Sequence, residues 1–94
     1  MDTKRVLIVD DSSVMRKIVE RSLRQAGFPV SQVFEANNGA EALEMLGTQH
    51  PDLILTDVNM PTMDGLEFVR KLRAEKKAEG VPVIMITKIG RAHV

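Results

Sequence analysis

Short apolar runs alternate with amphipathic segments along this chain of 94 residues, and this alternation constrains the fold more than any other feature. Three runs are apolar throughout: Val6–Val9, Leu53–Leu55 and Val83–Ile86. Such runs are typical of strands buried on both faces of a sheet. Between them, apolar residues recur at three- and four-residue spacing from Val14 to Ala26 and from Leu66 to Leu72, as on one face of a helix. The pattern predicts a parallel sheet with helices on both sides.

Two weaker segments complete a predicted order of βαβαβαβ. Val33–Ala36 is a short strand, and the residues from Ala40 to Leu46 form a second helix that Gly47 ends. Because crossovers between parallel strands are right-handed, this order leaves only a few topologies. The chain is therefore predicted to be one α/β domain built on a doubly wound parallel sheet.

Composition excludes several classes of function. Thirteen basic and thirteen acidic residues cancel, so nothing indicates binding to nucleic acid or to a membrane surface. The absence of cysteine excludes disulfides and thiolate catalysis. The longest apolar runs are far shorter than the ~20 residues that a membrane span requires. We therefore expect a cytoplasmic protein with no nucleic-acid partner and no membrane partner.

Polar side chains follow three of the predicted strands at the point where each strand ends. Asp10 and Asp11 follow the first strand, Asp57 ends the third, and Thr87 follows the fourth. Because ligands of open α/β sheets bind at the carboxyl ends of the strands, these side chains are expected to converge. Carboxylates in one pocket repel one another unless a cation is present, and oxygen ligands suit Mg²⁺. The arrangement predicts a Mg²⁺ site at which Asp57 accepts a phosphoryl group and Thr87 hydrogen-bonds to it.

Each of these residues also has a simpler interpretation when taken singly. Asp10 and Asp11 could cap a helix, and Asp57 could be a turn residue at the end of a strand. Their occurrence together at equivalent strand ends is what favours a site. Asp64, by contrast, is predicted to be only the N-cap of the third helix, and His50 is predicted to be a surface loop residue.

Four stretches of the sequence resemble a known family. They are VLIVDDSSVMRKIVERSLRQAG, EANNGAEAL, PDLILTDVNMPTMDGLEFVRKLR and VPVIMIT. They are similar to the receiver domain of bacterial response regulators, and most of all to its single-domain chemotaxis (CheY-like) branch. The resemblance implies a flavodoxin-like sheet with strand order 2-1-3-4, from which the fifth strand and its flanking helices are missing. Residues 1–87 would then form an incomplete receiver domain, in which Gly65 permits close packing where the loop after the third strand returns.

The resemblance also implies a role for each residue of the site. Asp57 would be the phosphoacceptor for a sensor histidine kinase, and Thr87 would reorient toward the phosphoryl group. Asp11 and Asp57 would bind Mg²⁺ directly, together with the backbone carbonyl of Asn59, whereas Asp10 would act through a water molecule. The implied function is a signalling module of a two-component system, in chemotaxis, rather than an enzyme.

Two other functions remain open. Aspartate-nucleophile phosphatases also combine a strand-end aspartate with Mg²⁺, but they resemble D-x-D, and Asn59 stands where their general-acid aspartate would be. A phosphorylation-independent interaction domain is the other alternative, because the lysine that follows the fifth strand of receiver domains is missing. Lys88 is a poor substitute, since its neighbour Thr87 points to the opposite side of an extended chain.

The last seven residues, KIGRAHV, do not continue the receiver pattern. They match the in-frame translation of a common sequencing adapter, so residues 88–94 are expected to be a non-native tail. Without a fifth strand, the fourth strand would be an unpaired edge and the first helix would expose apolar surface. We therefore expect a marginally stable or self-associating chain.

Overall fold

A computed structural model of the protein describes residues 3–86. Four strands and three helices follow one another in the predicted order. They are β1 (Lys4–Val9), α1 (Ser13–Gln25), β2 (Val30–Ala36), α2 (Gly39–Met45), β3 (Leu53–Asp57), α3 (Gly65–Ala74) and β4 (Val83–Ile86). Thr87 and the segment 88–94 lie outside the described residues, so the predictions made for them stay predictions.

The four strands form one parallel sheet with the order β2-β1-β3-β4, which confirms the predicted topology. The register aligns the strand ends: Val9 pairs with Ala36 on one side and with Thr56 on the other, and Asp57 pairs with Ile86. The residues that follow the strands therefore emerge at one edge of the sheet. β1 and β3 are the two inner strands, so the residues at their ends lie near the middle of that edge.

Most of the hydrophobic core lies between the sheet and the helices α2 and α3. Phe68 and Leu72 of α3 are fully buried against the inner strands. The buried members of this cluster are Leu7, Val9, Ala36, Ala42, Leu43, Leu46, Ile54, Phe68 and Leu72. Full burial of side chains of this size stabilises a domain by about 1.5–3 kcal/mol each, so this side of the sheet anchors α3 and the loop before it.

The opposite face of the sheet is only partly covered. Its buried residues all come from β1 and β3, and α1 contributes no fully buried side chain. Ile18 of α1 and Ile84 of β4 are 46% and 49% exposed, and they line an apolar groove between α1 and β4. Within residues 3–86, β4 lies at the edge of the sheet. Among the described residues, apolar surface is thus exposed along α1 and β4, the two elements for which the sequence predicted it.

Polar side chains fix where the helices begin. The Ser12 hydroxyl accepts the backbone N–H of Met15 at the start of α1, and the Asn38 side chain caps α2. Asp64 caps α3 by accepting the N–H of Glu67 at 2.9 Å, as predicted. Each bond satisfies one of the donors left unpaired in the first turn of a helix. No helix among the described residues has the length and apolar character needed to cross a membrane.

One strand is longer than predicted. β2 begins at Val30, three residues before the predicted start at Val33, and it pairs with β1 from Val30 to Ala36 except for an irregularity at Ser31. The added residues include Ser31 and Gln32, which are exposed. Because β2 is an edge strand, its outer side chains need not be apolar, and the search for apolar runs therefore missed its first half.

Candidate functional site

The structure brings the three predicted carboxylates together. Oxygen atoms of Asp10, Asp11 and Asp57 all lie within 4.8 Å of one another. Asp10 and Asp57 are only 3% and 2% exposed, whereas Asp11 is exposed to solvent. Two buried acids and one exposed acid therefore meet at the carboxyl edge of the inner strands, where open α/β sheets bind their ligands.

Backbone hydrogen bonds hold Asp10 in place. Its N–H donates to the carbonyl of Ala36 at 3.0 Å, which extends the pairing of β1 with β2 by one residue. Its carboxylate oxygen Oδ1 accepts the N–H of Ser12 at 2.9 Å. Since Ser12 is also the N-cap of α1, the start of the helix and the orientation of the buried carboxylate are fixed by the same short loop.

A tight loop fixes Asp57 at the end of β3. The backbone N–H of Asn59 points at Asp57 Oδ1 over 3.4 Å, and the N–H of Gly65 donates to the carbonyl of Val58 at 2.9 Å. A Cβ atom on Gly65 would overlap the carbonyl oxygen of Asp57. Glycine is therefore required where α3 returns to the strand end, as expected from the sequence. Thr62 has a φ of 70°, in the left-handed region, which also reflects the tight path of this loop.

Arg16 is a part of this region that the sequence did not reveal. Its Nη1 donates to the backbone carbonyl of Asp10 at 2.6 Å and to Asn37 Oδ1 at 2.9 Å. Its Nε donates to Glu35 Oε1 at 2.8 Å. The hydrogen bond from Arg16, with a smaller contribution from the charge of Lys17, lowers the pKa of Glu35. A signal was present, because a cation in the first turn of a helix opposes the helix dipole and needs another reason to be there.

The donor set of the acidic cluster fits Mg²⁺. Three carboxylates so close together repel one another, and a divalent cation among them offsets that repulsion. All three side chains offer oxygen, which suits Mg²⁺ and Ca²⁺ better than metals that prefer nitrogen or sulfur. Asn59 lies in the loop directly after Asp57, and the part predicted for its carbonyl in binding the metal stays a prediction.

Comparison with known proteins decides the family. The family model for the response regulator receiver domain matches residues 6–93. The chain belongs to this family. It is 48% identical over 88 residues to a chemotaxis protein CheY homolog of Campylobacter jejuni, a match that covers 92% of this chain and 65% of that protein. It is 42% identical over 87 residues to chemotaxis protein CheY1 of Helicobacter pylori, covering 92% of this chain and 68% of that one.

Solved structures agree with this assignment. The chemotaxis response regulator CheY4 of Vibrio cholerae superposes with a TM-score of 0.75 at 38% identity, covering 89% of this chain and 68% of that one. The MaeR response regulator bound to beryllium trifluoride gives 0.80 at 27% identity, covering 92% and 68%. The predicted family and the CheY-like flavodoxin fold are therefore confirmed. The chain spans just under two thirds of the Campylobacter protein's length.

Family membership also sets the general character of the site. Receiver domains are typically signalling modules rather than enzymes, and they bind Mg²⁺ in an acidic pocket. The cluster of Asp10, Asp11 and Asp57 is a group of side chains that could hold such an ion.

Proposed function

We propose that this chain is the phosphoacceptor module of a two-component system and that Asp57 takes a phosphoryl group from a sensor histidine kinase with the help of Mg²⁺. The observation that carries the proposal is the position of Asp57, which is 2% exposed and lies against two further carboxylates at the ends of the inner strands. The names of the relatives favour chemotaxis as the pathway. We place the exchange in the cytoplasm, and the downstream target is a further protein.

In the proposed reaction, an oxygen of the Asp57 carboxylate attacks the phosphorus of the kinase's phosphohistidine. The N–P bond breaks, its electron pair stays on the imidazole nitrogen, and an O–P bond forms to give an aspartyl phosphate. Bound Mg²⁺ would neutralise part of the negative charge on the carboxylate and phosphoryl oxygens during the transfer. Asp11, Asp57 and the Asn59 carbonyl would hold it directly, and Asp10 through a water molecule.

The rest of the local structure orients the acceptor. The N–H of Asn59 and the close return of Gly65 restrict the movement of Asp57, so little freedom is lost when the reacting groups meet. Thr87 follows β4 directly in the sequence, and we propose that its hydroxyl donates to a phosphoryl oxygen. On this proposal the chain is not an enzyme, because it carries the phosphoryl group itself.

The two alternative functions make different chemical demands. An aspartate-nucleophile phosphatase needs a general acid two residues after its nucleophile, and the amide of Asn59 cannot release or take up a proton at neutral pH. A phosphorylation-independent interaction domain would not use the carboxylate of Asp57 for chemistry at all. Each alternative therefore predicts a result of phosphoryl labelling that differs from the one our proposal predicts.

The test is incubation of the chain with acetyl phosphate and MgCl₂, followed by intact-protein mass spectrometry. We expect wild type to gain one phosphoryl group, and we expect Asp57→Asn and an EDTA-treated sample to gain none. Asp52→Asn is the matched control, because Asp52 lies at the opposite end of β3, where its carboxylate accepts the N–H of Arg5. Equal labelling of wild type and Asp57→Asn would overturn the proposal. Sustained turnover of a phosphate monoester would instead support the phosphatase.

A further inference from the structure

The side chain of Arg16 joins three separate segments beside the acidic cluster. It bonds to the end of β1 through the Asp10 carbonyl, to β2 through Glu35, and to the loop after β2 through Asn37. Only 11% of this side chain is exposed, and its bonds to Asp10 and Glu35 are partly buried, whereas its bond to Asn37 is exposed to solvent. A planar guanidinium can reach three acceptors at once in a fixed geometry, which an ammonium group on a flexible stem does not reproduce.

The contact with Asp10 has a particular consequence for the acidic cluster. The carbonyl that accepts from Arg16 belongs to the peptide unit joining Asp10 to Asp11, and that unit is planar. Anchoring its oxygen fixes the orientation of the whole unit, and therefore the direction in which the chain leaves toward Asp11. The N–H of Asp10 is held on the other side by Ala36. The two backbone contacts fix the link between the two acids from opposite sides.

We propose that Arg16 is a positioning residue for the Mg²⁺ site, acting through the peptide that joins Asp10 and Asp11; this rests on the proposed function. In this proposal Arg16 is not a ligand of the metal. Its effect is to hold both acids of the β1 end in the arrangement that a cation requires. Partners that orient metal ligands typically change metal affinity about 10- to 100-fold when they are removed.

The chain offers a matched control next to Arg16. Lys17 also lies near Glu35, with its Nζ 3.5 Å from Oε2, but its side chain is 66% exposed. No bond from Lys17 to Asp10 is seen among the described residues. Removing Lys17 therefore takes away a neighbouring positive charge and a contact to Glu35 while leaving the Asp10 carbonyl anchored.

The experiment is a titration of the full chain with Mg²⁺ alone, followed by NMR of backbone amides, because the sequence has no tryptophan or tyrosine to report binding. We expect Arg16→Ala to raise the Kd for Mg²⁺ about 10- to 100-fold, Arg16→Lys to raise it less, and Lys17→Ala to change it about twofold or less. Without metal, the amides of Asp11 and Ser12 are expected to exchange faster in Arg16→Ala than in Lys17→Ala. At saturating Mg²⁺, labelling of Asp57 is expected to recover toward the wild-type rate.

The outcomes separate the two proposals. A folded Arg16→Ala chain with wild-type Mg²⁺ affinity would overturn the positioning role while leaving Asp57 as acceptor. Equal loss of affinity in Arg16→Ala and Lys17→Ala would also overturn it, because the effect would then be one of general charge. If the alanine variant does not fold, the Mg²⁺ affinity of Arg16→Lys is compared with that of wild type and Lys17→Ala instead, and a wild-type affinity would again overturn the positioning role. Wild type that does not bind Mg²⁺ would overturn both the metal site and the role of Arg16.

Discussion

Gly65→Ala tests whether the close return of α3 holds the acceptor in place. Gly65 is the first residue of α3, and the Cβ atom of alanine would overlap the carbonyl oxygen of Asp57 and lie 3.0 Å from Val58 Cα. Both of these are backbone atoms, so no side-chain rotation relieves the overlap. The substitution can be accommodated only if the strand end and the helix start move apart, and that movement displaces Asp57.

Two opposing effects set the magnitude. Alanine is favoured over glycine by about 1 kcal/mol in a helix interior, and by less at a helix end. Forcing an extra carbon into a well-packed site costs about 1–3 kcal/mol, and the upper part of that range applies where only backbone can yield. The steric term therefore exceeds the helical preference, and we expect a net loss of about 2 kcal/mol. Against a typical stability of about 5–15 kcal/mol, this is a measurable fraction.

The assay is urea unfolding followed by far-UV circular dichroism, combined with acetyl phosphate labelling of Asp57. The matched control is Gly39→Ala, at the first residue of α2, where the new Cβ would meet side-chain atoms of Phe68 and Met63 at 2.8 and 2.9 Å. The methionine can rotate away, whereas relief of the contact with Phe68 Cβ requires α2 and α3 to move slightly apart. We therefore expect a loss of stability here as well, but unchanged labelling, because neither contact involves the backbone of Asp57. Gly65→Ala that is as stable as wild type and is labelled at the same rate would refute the reasoning.

Three further predictions concern the core, the ion pairs and the sheet edge. Phe68→Ala removes the largest fully buried side chain and is expected to cost about 3–5 kcal/mol in urea unfolding, whereas Leu66→Ala, at a position 49% exposed, is expected to change stability little. The pKa of Glu35 in the folded chain lies below its ordinary value of 4.5, so its stabilising contribution is present above that pH and is lost as pH falls through the lower folded value. The stability difference between wild type and Glu35→Gln should therefore be larger at pH 7 than at pH 3, and a difference independent of pH would contradict this. Backbone amides of β4 are expected to exchange with solvent faster than those of β1, and equal protection would show that the edge is covered.

The strands differ in how well the sequence predicted them, and burial explains the difference. The predicted limits of β4 coincide with the observed strand, because its four residues are all apolar and Pro82 precedes them. β2 was predicted three residues too short. Its first three residues include the polar Ser31 and Gln32, which an edge strand can expose to solvent. Apolar periodicity also placed Val14 on the apolar face of the first helix, yet this residue is 66% exposed. Periodicity indicates which face of a helix is apolar, but it does not show whether another element covers that face.

The position of the acidic cluster was predictable from the sequence, whereas the contacts of Arg16 were not. The reason is that Arg16 bonds to residues far from it along the chain. Asp10, Asp11 and Asp57 each directly follow or end an apolar strand, so a general rule about parallel sheets places them together. The bonds of Arg16 to Glu35 and Asn37 join residues 19 and 21 positions apart, across a helix and a strand. A cation in the first turn of α1 suggests that acceptors lie nearby, but which acceptors it meets depends on how closely α1 approaches β2.

The acidic cluster lies at the ends of the inner strands, whereas the exposed apolar surface lies on α1 and β4. Asp10 directly follows β1 and Asp57 ends β3, and both of these inner strands are paired on both sides. The loop that fixes Asp57 is anchored by α3 in the better packed core. The groove at Ile18 and Ile84 lies between α1 and the edge strand β4. Helix α1 belongs to both regions, because its Arg16 donates to the Asp10 carbonyl and its Ile18 lines the groove.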